Sequence, residues 1–194
     1  MTSRRPEPSD RVRSGRRDAA RSRRAIIDAA GRLLDERGRA VPLYEVGRAA
    51  QVGQATLYRH FPDRSALLAA VLEERLEELE VVAAEQAGRP DAVLVLLRTM
   101  AAQQAGSAAL LELLRESGPA SPEVRLLIER IRCLVEAPIA TAIAAGLVRP
   151  DFGTEDFTLL LGMLDGSLHG VEEPRRAAVA DRTLALLLTG LLSR

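Results

Sequence analysis

PLYEVGRAAQVGQATLYRHFPDR, residues 42–64, decides how the rest of the chain is read. Its small and apolar residues recur at helical spacing. Val46, Gly47 and Ala50 mark the inward side of a short helix from about Pro42 to Ala50. Gln51-Val52-Gly53 is a corner, and Val52 is the one residue in it that can turn back into a core. A second helix starts near Gln54 and carries Leu57 inward. With almost no side chain, Gly47 lets the second helix cross close over the first. This is the skeleton of a helix-turn-helix, whose second helix lies in the DNA major groove.

Gln54, Ala55, Thr56, Tyr58, Arg59 and His60 then form the outward side of a two-turn helix. Glutamine reads adenine edges, Ala and Thr methyls meet the thymine methyl, and Arg reads guanine or phosphate. Tyr58, His60 and Arg64 suit phosphate oxygens, which position a protein without reading sequence. Periodicity alone leaves open a second reading, the polar face of an ordinary helical corner.

The residues narrow that choice. ATLYRHFPDRSALLAAVL (55–72), with RRAIIDAAGRLLDERG (23–38) upstream, resembles the signature of TetR/AcrR-type transcriptional regulators over about residues 20–75. The resemblance implies an all-α homodimeric repressor, with a small-molecule pocket in its C-terminal domain and double-stranded DNA as its partner. It also turns Tyr44 and Arg48 toward the DNA backbone; an exposed aromatic packed on a neighbour is the other reading of Tyr44. Three positions depart from the family pattern. Pro42 stands where a capping Thr or Ser is usual, Gln51 where the turn has Gly, and Gly53 where Ser precedes the recognition helix. Pro and Gly are tolerated at a helix start. Gln51 costs on the order of 1 kcal/mol if the corner needs positive φ.

Composition agrees with a helical protein. Of 194 residues, 47% are hydrophobic but only 3% aromatic, so the core is built from Leu, Ala, Val and Ile. All 27 basic residues are Arg, which reads mainly as coding bias. Net charge is zero but unevenly spread: residues 1–64 hold 15 Arg against 8 acids, and 65–194 hold 12 against 19. That is the distribution of a nucleic-acid-binding head on a non-binding body. The lone Cys133 excludes an intrachain disulfide and a Cys-rich metal site. The Arg-rich N-terminus lacks an apolar stretch and no run of about 18 apolar residues occurs, so the expectation is a cytoplasmic protein without a membrane span.

Three segments follow. Residues 1–17 form a basic arm expected to be disordered, which either reaches DNA or is a solvated tail. Residues 18–64 are the DNA-binding domain, opening with a helix from Asp18 to Arg37 whose Ile26, Ile27, Ala30, Leu33 and Leu34 face inward and which Gly38 ends. Residues 65–194 are the ligand-binding and dimerisation domain. Its first helix, capped by Asp63, runs to about Ala87 with Leu67, Leu68, Val71, Leu72, Leu76 and Leu79 inward. The acidic run Glu73, Glu74, Glu77, Glu78 and Glu80 reads as a solvated face. Further helices are expected at about 91–104, 107–116, 122–145 (with Pro138 bending it), 154–169 and 174–192.

The last two helices carry apolar residues on more than one side and so must bury more than one side. We expect a two-fold contact through Leu160, Leu164, Leu184, Leu187, Leu188 and Leu191; a pair packed wholly inside its own domain is the alternative. Polar and flexible residues on apolar helices, namely Thr99, Met100, Gln103, Gln104, Thr141, Thr158 and Met163, are pocket candidates or ordinary packing. The effector should be mostly apolar, and no cofactor or metal is expected. Asp165 and His169 share a helix face, but no nucleophile motif, histidine ligand pair or phosphate loop accompanies them, so no catalytic residue is assigned. The runner-up to a regulator is a helical protein-interaction module with a vestigial DNA head.

Overall fold

The computed structural model describes residues 8–37, 41–106, 122–172 and 174–191; for 8–17, 37, 123–124 and 190–191 it describes backbone alone. Eight helices and no strand occur among them: α1 (Pro8–Arg37), α2 (Leu43–Ala49), α3 (Gln54–His60), α4 (Arg64–Glu85), α5 (Ala92–Gly106), α6 (Pro122–Ala144), α7 (Thr154–Leu168) and α8 (Arg175–Leu191). They form two compact units, residues 1–71 and 72–194, and α4 runs through the division.

In the head, α1 packs on both α2 and α3. Ile26, Ile27, Ala29, Ala30 and Leu34 of α1 are buried with Val46, Leu57, Phe61, Leu67, Leu68 and Val71. The helix starts at Pro8, ten residues before the expected Asp18. Proline is favoured in a first helical turn, and the arginines behind it are good helix formers. Residues 1–7 of the expected arm, and Gly38, lie outside the described residues.

The corner is built as its spacing suggests. A Cβ on Gly47 would stand 3.0 Å from Gln54 Nε2, 3.4 Å from Leu57 Cδ1 and 3.5 Å from the Val52 carbonyl. A larger side chain there would crowd the Gln54 amide that ties α3 to α2. Val46, Gly47 and Leu57 are buried, whereas Ala50 and Val52 are half-buried. Gln51 adopts φ +57°, the left-handed region that a Cβ disfavours. Asp63 caps α4, accepting the Ala66 N–H at 2.8 Å.

In the body, α5 is the central helix and packs on α6, α7 and α8; α7 also packs on α6 and α8. Eight of the fifteen residues of α5 are buried, covering most of its circumference. Gly146, at φ +69°, ends α6, and the Leu147 N–H returns to the Ala142 carbonyl at 2.9 Å. The helix continues through Pro138. The expected helix at 107–116 lies outside the described residues.

The position of α7 and α8 against α5 corrects the expected contact surface. Leu164, Leu184 and Leu188 point into the core of their own chain, because α5 and the two helices themselves cover that side. Leu160 and Leu187 are half-buried, and the side chain of Leu191 lies outside the described residues. The large apolar residues left to solvent are instead Leu159 (57% exposed), Met163 (48%) and Leu186 (57%). With exposed Gly162 and Gly166, Leu159 and Met163 make one stripe of α7.

Replacing Gln51 by Gly relieves the left-handed strain without removing a core contact. Chemical denaturation should show the head stabilised by about 1 kcal/mol, and Gln51→Val should destabilise it. Equal stability of all three proteins would contradict the corner geometry.

Candidate functional site

Helix α3 presents one surface of the head. Leu57 is its single fully buried residue; Gln54, Ala55, Tyr58 and Arg59 are exposed, and Thr56 and His60 half-buried. Helix α2 adds exposed Tyr44 and Arg48. Tyr44 is 57% exposed and Tyr58 49% exposed. Exposed tyrosines and guanidiniums are groups that can meet an anionic backbone, although the Tyr44 hydroxyl also donates to Glu45 at 3.3 Å.

Three residues take on roles beyond those expected. The Gln54 side-chain amide donates to the Tyr44 carbonyl at 3.3 Å, so it ties α3 to α2 as well as opening the recognition helix. Arg64 is turned inward: its Nη1 donates to the Val41 carbonyl at 2.6 Å, anchoring the chain as it enters α2. This internal bond gives Arg64 a structural role beside the phosphate contact expected of it. His60 keeps Nε2 buried without a hydrogen-bond partner, beside the ring of Phe61 at a centroid distance of 6.4 Å.

Phe61 itself was not assigned by spacing. Its ring is 2% exposed and its N–H closes α3 onto the Leu57 carbonyl at 2.8 Å. Arg23 of α1 lies over the ring, 5.3 Å from its centroid, a cation–π contact that fixes the end of α3 on α1.

None of the expected pocket residues lines the groove described below. Thr99, Thr141 and Thr158 return their hydroxyls to their own helices, at Val95, Ala137 and Glu155. Such back-bonding satisfies a hydroxyl on an apolar helix. Met100 is buried in the body core, and Met163 is on the outward face of α7. Gln103 bonds the Arg75 carbonyl and Glu78 on α4. Gln104 bonds the Leu161 carbonyl and keeps its own Oε1 buried and unpartnered.

A groove occurs elsewhere in the body, lined by Glu80 of α4 and Leu126, Glu129, Arg130, Cys133 and Leu134 of α6, with a volume of about 380 Å³. Arg130 lines it and bridges α6 to α4. Nη1 donates to Glu73 and Nη2 to Glu80, both at 2.6 Å. Hydrogen bonding to Glu73 and then Glu80 holds its pKa above the usual arginine value. Part of the acidic run of α4 is therefore engaged rather than simply solvated. Among the described residues no group of three or more His, Cys, Asp or Glu is placed to hold a metal, and no helix is long and apolar enough to cross a membrane. His169 is the exposed cap at the end of α7.

A three-helix head that exposes the second helix of a helix-turn-helix, joined to a larger helical body, defines a DNA-binding regulator fold. Comparison with known proteins gives the family. Residues 26–71 match the family of bacterial regulatory proteins, tetR family. A TetR transcription regulatory protein from Mycobacterium vanbaalenii is 29% identical, with TM-score 0.65, over 91% of this chain and 98% of that one. A TetR transcriptional regulator from Streptomyces coelicolor is also 29% identical, with TM-score 0.62, over 88% of this chain and 98% of that one. A gamma-butyrolactone receptor described as ArpA-like is 26% identical, with TM-score 0.57, over 90% of both chains. No curated protein matches the chain. The head thus matches the tetR family over residues 26–71, and the chain shares its fold with solved TetR transcriptional regulators.

The two roles open to Arg64 are separable. Because its bond to Val41 is charge-assisted and part-buried, Arg64→Ala should destabilise the head by about 1–2 kcal/mol in urea unfolding. A purely phosphate-contacting arginine would leave stability unchanged and flatten only the salt dependence of DNA binding.

Proposed function

We propose that the protein is a ligand-responsive transcriptional repressor that binds a near-palindromic DNA operator as a homodimer. The observation that carries this reading is the outward face of α3: one buried leucine inside, and Gln54, Ala55, Thr56, Tyr58, Arg59 and His60 around the remaining surface. Ala55 and Thr56 suit thymine methyls and Arg59 suits guanine or phosphate. Tyr44, Arg48 and Tyr58 suit phosphates and set register. Gln54 has a double role, reading an adenine edge or holding α3 through the Tyr44 carbonyl. The positive head favours DNA through counterion release.

The homodimer rests on α7 and α8. Leu159, Met163 and Leu186 leave these two helices with a large apolar surface exposed in a single chain. A two-fold contact covers it in both chains and sets two recognition helices about one DNA turn apart, roughly 34–36 Å. The effector is a mostly apolar small molecule bound in the body. One similar protein is a gamma-butyrolactone receptor, which supports a small-molecule role for the body here. Helix α4 links the two functions, since Leu67, Leu68 and Val71 are buried in its head half and Leu76 and Leu79 in its body half. TetR regulators are non-enzymatic transcription factors, and we assign no catalysis.

Fluorescence anisotropy with an operator selected from random DNA tests the reading surface. Thr56→Ala should weaken specific binding by about 1–3 kcal/mol and leave non-specific binding nearly unchanged. Arg48→Ala and Arg59→Ala should each reduce the salt slope by about one. Cognate binding untouched by all three changes would sink the assignment. The dimer surface has its own test: Leu159→Glu combined with Leu186→Glu should give a folded monomer by sedimentation velocity, with steeply reduced operator affinity. A wild-type monomer at micromolar concentration would remove the two-fold mechanism.

A further inference from the structure

We infer that the N-terminal half of α1 is a second DNA-contacting element, an arginine-striped helix that leaves the head beside the end of α3 and takes phosphate contacts without reading sequence. This rests on the reading of the protein as a DNA-binding regulator and assigns a partner to a segment that spacing alone left open. Helix α1 runs from Pro8 to Arg37, yet among its described side chains the first to be buried is Ile26. Asp18 to Arg21, Arg23 and Arg24 are exposed, and Ser22 and Ala25 are half-buried. At 1.5 Å per residue, residues 8–22 extend about 22 Å, roughly six base pairs of duplex.

The charge pattern selects a polyanion. Residues 8–24 hold seven arginines and two aspartates. Arg13, Arg17, Arg21 and Arg24 follow at spacings of four, four and three, which places these positions on one face of the helix. Like charges four apart destabilise a free helix, and a glycine such as Gly15 weakens its interior. A solvated helix offsets its arginines with acids at that spacing, as Arg24 is offset by Asp28 at 3.1 Å. Upstream, the Arg13–Arg17 and Arg17–Arg21 positions are like-charged instead, an arrangement that a row of phosphates relieves. An anionic membrane would also attract the charge, but holding a helix at its surface takes an apolar face. Apart from Pro8, only Val12, Ala19 and Ala20 are apolar in this stretch, so neither a bilayer nor a partner helix has a stripe to bury.

The anchoring of the helix selects DNA among polyanions. Arg23 lies over the ring of Phe61, 5.3 Å from its centroid, and Phe61 is the residue that ends α3. Helix α1 therefore enters the head at the C-terminal end of the reading helix, beside Arg59 and His60. The arginine positions before Arg23 start from that same end. Contacts made there set affinity for every sequence and leave base readout to α3.

Fluorescence anisotropy of the full-length protein on a random-sequence duplex, over a range of salt, tests the assignment. The triple variant Arg13→Gln, Arg17→Gln, Arg21→Gln should bind at least tenfold more weakly than the wild type. Its slope of log K against log salt should be shallower by about 2.7 per chain in contact, about 0.9 for each phosphate lost. Preference for a selected operator over random DNA should stay within about twofold, because no base contact is removed. The corresponding triple lysine variant should keep the wild-type slope. If the triple glutamine variant fails to fold by circular dichroism, Arg13→Gln with Arg17→Gln decides, with about two thirds of the slope change. An unchanged slope, or a lysine variant as weak as the glutamine one, would overturn the inference. So would loss of binding to phosphatidylserine vesicles in the glutamine variant with DNA binding intact. Absence of any operator preference would sink the repressor reading while leaving the slope comparison to stand by itself.

Discussion

The close crossing of α3 over α2 at Gly47 is the constraint on which the head depends. With 3.0 Å between a notional Cβ and Gln54 Nε2, a larger residue would displace the Gln54 side chain by a few tenths of an ångström. That approach drives Leu57 to full burial and lets the Gln54 amide reach the Tyr44 carbonyl. Once Leu57 is fixed inward, helical geometry fixes which side chains point out. The composition of the candidate DNA-reading face is therefore a consequence of a glycine on the preceding helix. The chain accepts strain to make the crossing, since Gln51 occupies a left-handed conformation at the corner.

Arg176 plays the corresponding part in the body. Its guanidinium, 6% exposed, donates to the carbonyls of Gln104, Ala105, Leu168 and Val171. The first two lie in the last turn of α5 and the third ends α7, so one cation meets the negative ends of two helix dipoles. Burying an arginine is costly unless its N–H groups are satisfied, and four carbonyls do this without competing with helix bonds. Anchored in the first turn of α8, Arg176 holds three helices at one point. The remaining faces of α7 and α8 are then free to present Leu159, Met163 and Leu186 outward.

The helix-turn-helix and the order of the helices were legible because they follow from local rules. Period, capping by Asp63, termination at Gly146 and the tight approach at Gly47 are each set by a few neighbouring residues. The αL strain at Gln51 was legible for the same reason. What sequence could not supply was the direction in which long polar side chains turn. Arg64 reaches back 23 residues to Val41, Arg130 reaches across to α4, and Arg176 bonds residues some 70 positions away. Spacing sees none of these partners. The apolar faces of α7 and α8 failed for a related reason. Both helices are apolar on several sides, and only the placement of α5 decides that Leu164, Leu184 and Leu188 go inside while Leu159 and Leu186 stay out. The three threonines marked for a pocket each bond their own helix backbone, a partner that spacing does not show.

Hydroxyl-radical footprinting on an operator selected from random DNA tests the central claim most directly. That claim is that two copies of α3, held by a two-fold contact through α7 and α8, read successive major grooves. The account predicts two protected patches related by a dyad on one face of the duplex, centred roughly 34–36 Å apart. A single unpaired patch, or a selection that returns no preferred sequence, would contradict it.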